Sequence, residues 1–268
     1  MRSRVLVVGS RGTLGRRFVC ELGNDAVGLD LPELDVTDEQ NVAEVVGSLS
    51  PSLIVNCAAI TDVDLCEARP DLAMDVHCAG VANLARTGIR VVSFSTDHIF
   101  SGRDPSPFLE SDRPDPVNEY AWSKLRGERQ LLGISPTSVV VRTSWLFDER
   151  SGLPAFLLDS IEREGAVRAV RDQSACLTYA PDLVRAVIEL CDRGGRGVYH
   201  LVNEGVFTPL GLVRMLADEH GEVDVVSVRW EDLGLPARRP RYSVLGTERG
   251  LKLPKTVEAL ARWRRSRE

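Results

Sequence analysis

Residues 7–18 read VVGSRGTLGRRF, which sets glycine at 9, 12 and 15 directly after the β-branched run RVLVV (Arg4–Val8). Three glycines at this spacing carry little weight alone. Between an apolar strand and a helical stretch that ends near Leu22, they allow a tight turn. They also bring backbone N–H groups and a helix N-terminus close to a pyrophosphate. An acid, Asp30, closes the next apolar run AVGLD (Ala26–Asp30), where a carboxylate reaches ribose hydroxyls. The expected fold is α/β, a doubly wound parallel sheet of Rossmann type that holds a dinucleotide at its strand ends.

The first two thirds of the chain keep to that plan. LIVN (Leu53–Asn56), RVVSFS (Arg90–Ser95) and TSVVVR (Thr137–Arg142) read as further strands. Thr37 and Gln40 fit a capping box that opens a helix through NVAEVVGSL, and helical sequence lies between Pro70 and Thr87. Strands apolar on both faces and alternating with helices imply a parallel sheet covered on both sides, with the C-terminal strand ends on one edge. After Arg142 the pattern loosens. Helices are expected near Pro154–Arg163, from about Pro181 and after Pro254, with strand at VRAV and at Gly197–Asn203. Thr208 followed by Pro209 suits a helix start. The chain thus divides into a dinucleotide-binding domain, 1–145 plus about 180–203, and a smaller interrupted substrate-binding lobe, about 146–179 plus 204–268.

A net charge of −6 over 268 residues argues against nucleic acid or an anionic membrane as partner. The basic end ARWRRSRE reads as a solvated helix terminus. Six cysteines show neither a CxxC pair nor zinc-site spacing, so no metal is expected. The opening MRSRVLVVGS lacks a secretory pattern, and no apolar run reaches the ~18 residues of a membrane span. Reduced thiols in a cytoplasmic protein are the expectation.

The stretch NEYAWSKLRGE sets Tyr120 four residues ahead of Lys124, on one face if helical. An ammonium there is expected to lower the phenol's pKa and ready it as a general acid for a carbonyl oxygen.

These stretches, together with NCAAITDVDLCE (Asn56–Glu67), SFSTDHIFSG (Ser93–Gly102), VRTSWLF (Val141–Phe147), RDQSACLTYAPDL (Arg171–Leu183), GVYHLVNEG (Gly197–Gly205) and RPRYSVL (Arg239–Leu245), carry a resemblance. The chain resembles the extended short-chain dehydrogenase/reductases, and within them the dTDP-4-dehydrorhamnose reductase family of deoxysugar biosynthesis. The resemblance spans nearly the whole chain. It implies a catalytic Thr96, Tyr120 and Lys124: the threonine hydroxyl on the substrate carbonyl, the phenol protonating it, the lysine on the nicotinamide ribose.

It also implies cofactor contacts from the loop Gly9, Arg11, Gly12, Thr13, Leu14 and Gly15, then Asp30 and Asp35, then Ala58, Ala59 and Ser95, with Tyr120 and Lys124 completing the set. Asp30 favours NAD(H), whereas Arg11 could attract the 2′-phosphate of NADP(H); dual use is expected. A nucleotide-sugar substrate would meet Asp97, His98, Trp145, Gln173 and Thr178, with Arg239 on its diphosphate; Asp97 could also hold the hydroxyl network or simply cap the turn. The implied activity is NAD(P)H-dependent reduction of the C4 carbonyl of a nucleotide-activated 4-keto-6-deoxysugar. An epimerase or dehydratase on the same fold and a non-catalytic dinucleotide-binding regulatory subunit stand as alternatives, and a homodimer is considered.

Three departures bear on substrate identity. His98 stands where the family has tyrosine, His77 where the wider superfamily has asparagine, and Ala175 and Leu177 where the family has glycine and proline. The proline-rich segment between Thr96 and Tyr120 reads as a covering flap.

Overall fold

Four branched aliphatic residues in a row, Val5–Val8, form β1 near the middle of a six-stranded sheet. The structure, a computed structural model, describes residues 4–103, 105–217 and 223–267. Met1–Ser3, at the start of the opening read above, and Asp104, in the proline-rich segment, lie outside the described residues.

After β1 the chain runs through α1 (Thr13–Leu22), β2 (Ala26–Leu29), α2 (Glu39–Leu49) and β3 (Leu53–Asn56). A helical run follows: α3 (Val63–Ala68), α4 (Pro70–Met74), one π turn (Asp75–Ala79) and α5 (Gly80–Arg86). Then come β4 (Val91–Thr96), α6 (Glu119–Ile134) and β5 (Val139–Thr143). The sheet order is β2-β1-β3-β4-β5 and then β9 (Gly197–His200), with every neighbouring pair parallel. The winding reverses between β1 and β3, so their C-terminal ends open a crevice there.

Period-two alternation sorts the strands' side chains. Val7, Val55 and Val92 face Phe18 of α1 and, from the later helix described below, Leu183 and Val187. Leu6, Val8 and Ile54 face Val42 of α2, Leu84 of α5 and Leu131 of α6. Both faces are therefore apolar, as the strand sequences require.

The remaining chain supplies β6 (Leu146–Phe147), α7 (Leu153–Glu164), β7 (Ala166–Val170), β8 (Thr178–Tyr179) and α8 (Ala180–Asp192), which returns to the sheet ahead of β9. After β9 come β10 (Asn203–Glu204), α9 (Pro209–Ala217), β11 (Asp224–Val228), β12 (Leu253–Lys255) and α10 (Thr256–Arg265). Paired short strands (β6 with β8, β7 with β11) and three of these helices enclose a separate apolar core, while β10 pairs with β12, whose Leu253 joins the core of the sheet. Trp263 lies at its centre, fully buried against Phe147, with its indole N–H on the Asp148 carbonyl at 2.8 Å.

Two local expectations are corrected. The cap of α2 is Asp38, whose carboxylate accepts the Asn41 N–H at 3.0 Å, whereas the Thr37 hydroxyl donates to Asp35 at 2.7 Å. The Asp35 side chain captures the threonine first, and the capping moves on by one residue. The proline-rich segment is a strap rather than a flap. Phe108 donates its N–H to Val244 O at 2.9 Å, accepts from Gly246 N at 2.8 Å and stacks on Phe100 at 4.4 Å. Backbone pairing and ring burial together tie it down. The Thr208 start of α9 is as expected, its hydroxyl accepting the Gly211 N–H at 2.9 Å.

Candidate active site

Asn118 begins the site. Its carboxamide oxygen accepts the Ala121 N–H at 2.8 Å and caps α6, while its amide donates to Arg238 O at 2.7 Å. That start places Tyr120 in the first helical turn and Lys124 one turn on, over the C-terminal end of β4, where Thr96 sits. Thr96 Oγ1 donates to Asp97 Oδ1 at 3.2 Å and accepts the His98 N–H at 3.2 Å. Lys124 Nζ donates to Phe94 O at 3.2 Å. The three residues implied as catalytic therefore converge at the strand edge.

The expected acidification of the phenol is not met. Burial raises the Tyr120 pKa above the ordinary phenol value, and the Thr96 hydroxyl lowers it only in part. Desolvation dominates, Asp97 and Cys66 act in the same direction, and the ammonium is turned to the Phe94 carbonyl. The phenol is thus a fully protonated acid at neutral pH. Lys124 is the group that shifts into the working range: burial brings it down to about 8, while the thiols Cys66 and Cys57 and the Glu128 carboxylate resist that fall.

Two imidazoles bracket the phenol edge-on, His77 at 5.7 Å and His98 at 6.0 Å between ring centres. His77 Nε2 accepts the Ile60 N–H at 2.9 Å, and its Nδ1 meets Ser123 Oγ at 2.8 Å. Ser123 spends its one proton on the Tyr120 carbonyl at 2.8 Å, so the network assigns the hydrogen to Nδ1. Burial, and then the Lys124 charge, push His77 down to about 2, which keeps it neutral. His98 is also buried, which lowers its pKa against the pull of Asp97, and its Nδ1 has no hydrogen-bond partner among the described residues.

Asp97 sits at the centre of a hydroxyl network. It is 2% exposed, and beyond Thr96 it accepts from Ser144 Oγ at 2.9 Å and from Ser243 Oγ. With its oxygens occupied by hydroxyls, it positions Thr96 from behind. Thr178 is fully buried, and its hydroxyl accepts from Thr143 Oγ1 at 3.0 Å. Ser144, Ser243 and Ser123 did not emerge from the sequence. The first two lie within RTSW and RYSVL, but only folding brings them to Asp97.

In the crevice, Gly9 (φ +72°) packs so closely that a Cβ would stand 2.6 Å from Ala58 N, and one on Gly15 would stand 2.1 Å from Gly9 O. Gly12 caps α1 without a side chain, and a Cβ there would meet only Gly9 O at 3.4 Å. First-turn amides and the space left at Gly12 form a cradle of the kind that suits a pyrophosphate. The buried Ser95 hydroxyl, without a hydrogen-bond partner among the described residues, adds a polar group. These residues fit a dinucleotide. Leu14 contributes backbone only, since its side chain is in the core, and Thr13 Oγ1 bonds Ser151 Oγ at 2.9 Å. Asp35 spends Oδ1 on Thr37. Arg11 is already engaged: its backbone N–H meets Asp30 Oδ2 at 2.8 Å, and its guanidinium meets Leu31 O at 2.9 Å and Glu33 at 3.2 Å.

A cleft of about 600 Å³ is lined by Val117, Gln173, Trp230, Arg238 and Arg239 among others, and none of Thr96, Tyr120 and Lys124 is in its wall. Arg239 is not free in it. Both its terminal nitrogens reach Asp64, at 3.3 and 2.9 Å, and its guanidinium covers the Trp230 ring at 4.9 Å. Trp145 holds φ +28°, a strained left-handed conformation for a bulky residue, and lies partly buried against the second core.

This geometry has known counterparts. Residues 3–266 match the family model described as RmlD substrate binding domain. The chain belongs to this family. It is 33% identical over 260 residues to a dTDP-4-dehydrorhamnose reductase of Mycobacterium tuberculosis, covering 91% of this chain and 85% of that one. It is 34% identical over 261 residues to a dTDP-4-keto-6-deoxy-D-glucose reductase of Streptomyces niveus, covering 92% and 89%. Among solved structures, a dTDP-4-dehydrorhamnose reductase from Bacillus anthracis in complex with NADP superposes with a TM-score of 0.95 at 30% identity, over 99% of this chain and all of the other. No helix among the described residues is long and apolar enough to cross a membrane.

Proposed function

We propose that this chain is an NAD(P)H-dependent reductase of the C4 carbonyl of a nucleotide-activated 4-keto-6-deoxysugar, a dTDP-sugar in the reading the family supports. The observation that carries it is the convergence of Thr96, Tyr120 and Lys124 beside the crevice at the strand-order reversal. When bound, a reduced nicotinamide dinucleotide supplies the hydride. Gly9, Gly12 and Gly15 would seat its pyrophosphate on the first-turn amides of α1, Asp30 its adenosine ribose, and Lys124 its nicotinamide ribose.

With substrate bound, the Thr96 hydroxyl turns its one proton from Asp97 Oδ1 to the ketone oxygen, and Tyr120 gives that oxygen its proton, a step for which a neutral phenol is the required state. Ser144 and Ser243 hold the Asp97 carboxylate behind Thr96. His98, with Nδ1 unpaired beside the phenol, is a partner for a sugar hydroxyl. Gln173 contacts the sugar from the cleft wall, Trp145 offers an apolar face, and Arg239 exchanges Asp64 for the diphosphate. The core around Trp263 belongs to the substrate lobe. Dehydration on this scaffold would need a free acid pair next to Thr96. Here Asp97 is occupied by hydroxyls and the following residue is His98, so reduction is favoured.

Mixing the protein with NADH or NADPH and a dTDP-4-keto-6-deoxyhexose, or its epimerised form, should consume nicotinamide absorbance in step with loss of the ketone. A protein that binds both ligands yet leaves the absorbance unchanged would be a regulatory subunit instead.

A further inference from the structure

Arg11 is the one cation of the glycine loop, and the fold gives it to an acid. Its Nη2 lies 3.2 and 3.4 Å from the two Glu33 carboxylate oxygens, and its Nη1 donates to Leu31 O at 2.9 Å. The guanidinium therefore folds over the turn after β2. The Asp30 carboxylate is fixed next to it by two backbone donors, Arg11 N at 2.8 Å and Leu31 N at 2.9 Å. A ribose 2′-hydroxyl can donate to Asp30. A 2′-phosphate cannot, because it carries nearly two negative charges and would meet Asp30 and Glu33 together.

Resting on the dinucleotide reading above, we infer that Glu33 sets the cofactor preference: by engaging Arg11 it disfavours NADPH and leaves NADH the better cofactor, with both still accepted. The effect is moderate, because the pair is exposed, with side chains 66% and 51% accessible. Sequence reading set Asp30 against Arg11 as opposing votes. The structure adds the third residue that decides between them.

The test uses the adenosine halves of the cofactors, so it does not depend on turnover. Calorimetric titration of the intact chain with 5′-ADP and with 2′,5′-ADP gives a ratio of affinities. The wild type should bind 5′-ADP more tightly. In Glu33→Gln, 2′,5′-ADP should gain about two- to fivefold relative to 5′-ADP, the scale an exposed ion pair supports, and more at low salt. Adding Arg11→Ala to Glu33→Gln should remove that gain, as a double-mutant cycle requires. An unchanged ratio in Glu33→Gln, or a shift toward 5′-ADP, overturns the inference, since Glu33 would then be indifferent or would hold Arg11 ready for phosphate. Wild-type preference for 2′,5′-ADP also overturns it. Binding of neither nucleotide would overturn the dinucleotide reading itself.

Discussion

At the scale of single residues, burial governs the chemistry more than pairing does. The i,i+4 spacing of Tyr120 and Lys124 was legible, but the sign of the phenol's shift was not, because desolvation depends on what the rest of the chain stacks around it. The titrating group in the free protein is Lys124, down to about 8. In the reductive direction kcat/KM, which reports free-enzyme groups, should therefore hold level below pH 7 and fall with an apparent pKa near 8 as the ammonium is lost. Lys124→Arg should move that limb to higher pH, and a pH profile of both proteins checks it. The same shift has a stability sign. The folded pKa lies below the ordinary lysine value of 10.5, so between about 8 and 10.5 only the unfolded chain holds this proton, and the group's contribution to stability rises with pH there. Asp97, Thr178 and Arg239 were placed in the site by their motifs, without their neighbours in the fold. Their actual partners, Ser144 and Ser243, Thr143, and Asp64, are distant in sequence and invisible to local pattern.

At the scale of elements, strands were legible because their composition leaves few alternatives: the run Val139, Val140, Val141, apolar on both faces, suits only the interior of a covered parallel sheet. Helix starts were less so, as Thr37 and Asp38 show, since several short polar residues compete to cap. The helical run ahead of β4 was read only from Pro70. Its extension back to Val63, capped by Asp62, and its π turn at Asp75–Ala79 escaped. That turn matters to the site, because it presents the His77 carbonyl to α6 at Gly127, where an added Cβ would stand 2.0 Å from the oxygen. Gly127→Ala should push α6 off the turn, cost about 1–3 kcal/mol and lower Tm by at least about 2 °C. A melting curve with Tm unchanged would mean that the two helices can separate freely.

At the scale of the whole molecule, the crevice belongs to the sheet and the cleft to its junction with the second core. Asp64 on α3 spans that junction, receiving Arg239 and also the Ala237 N–H at 3.0 Å. If the diphosphate replaces Asp64 on Arg239, Asp64→Asn should lower KM for the nucleotide sugar roughly two- to tenfold, the net worth of one hydrogen bond, with kcat little moved. A raised KM would show that the ion pair builds the substrate site instead of competing with it. The central claim is that one buried, protonated phenol serves both compartments, next to the dinucleotide and facing the ketone. Its most direct test is Tyr120→Phe, assayed for kcat and for cofactor affinity in parallel. The account predicts a fall in kcat of about 10²–10⁴-fold with cofactor binding retained; turnover at the wild-type rate would contradict it.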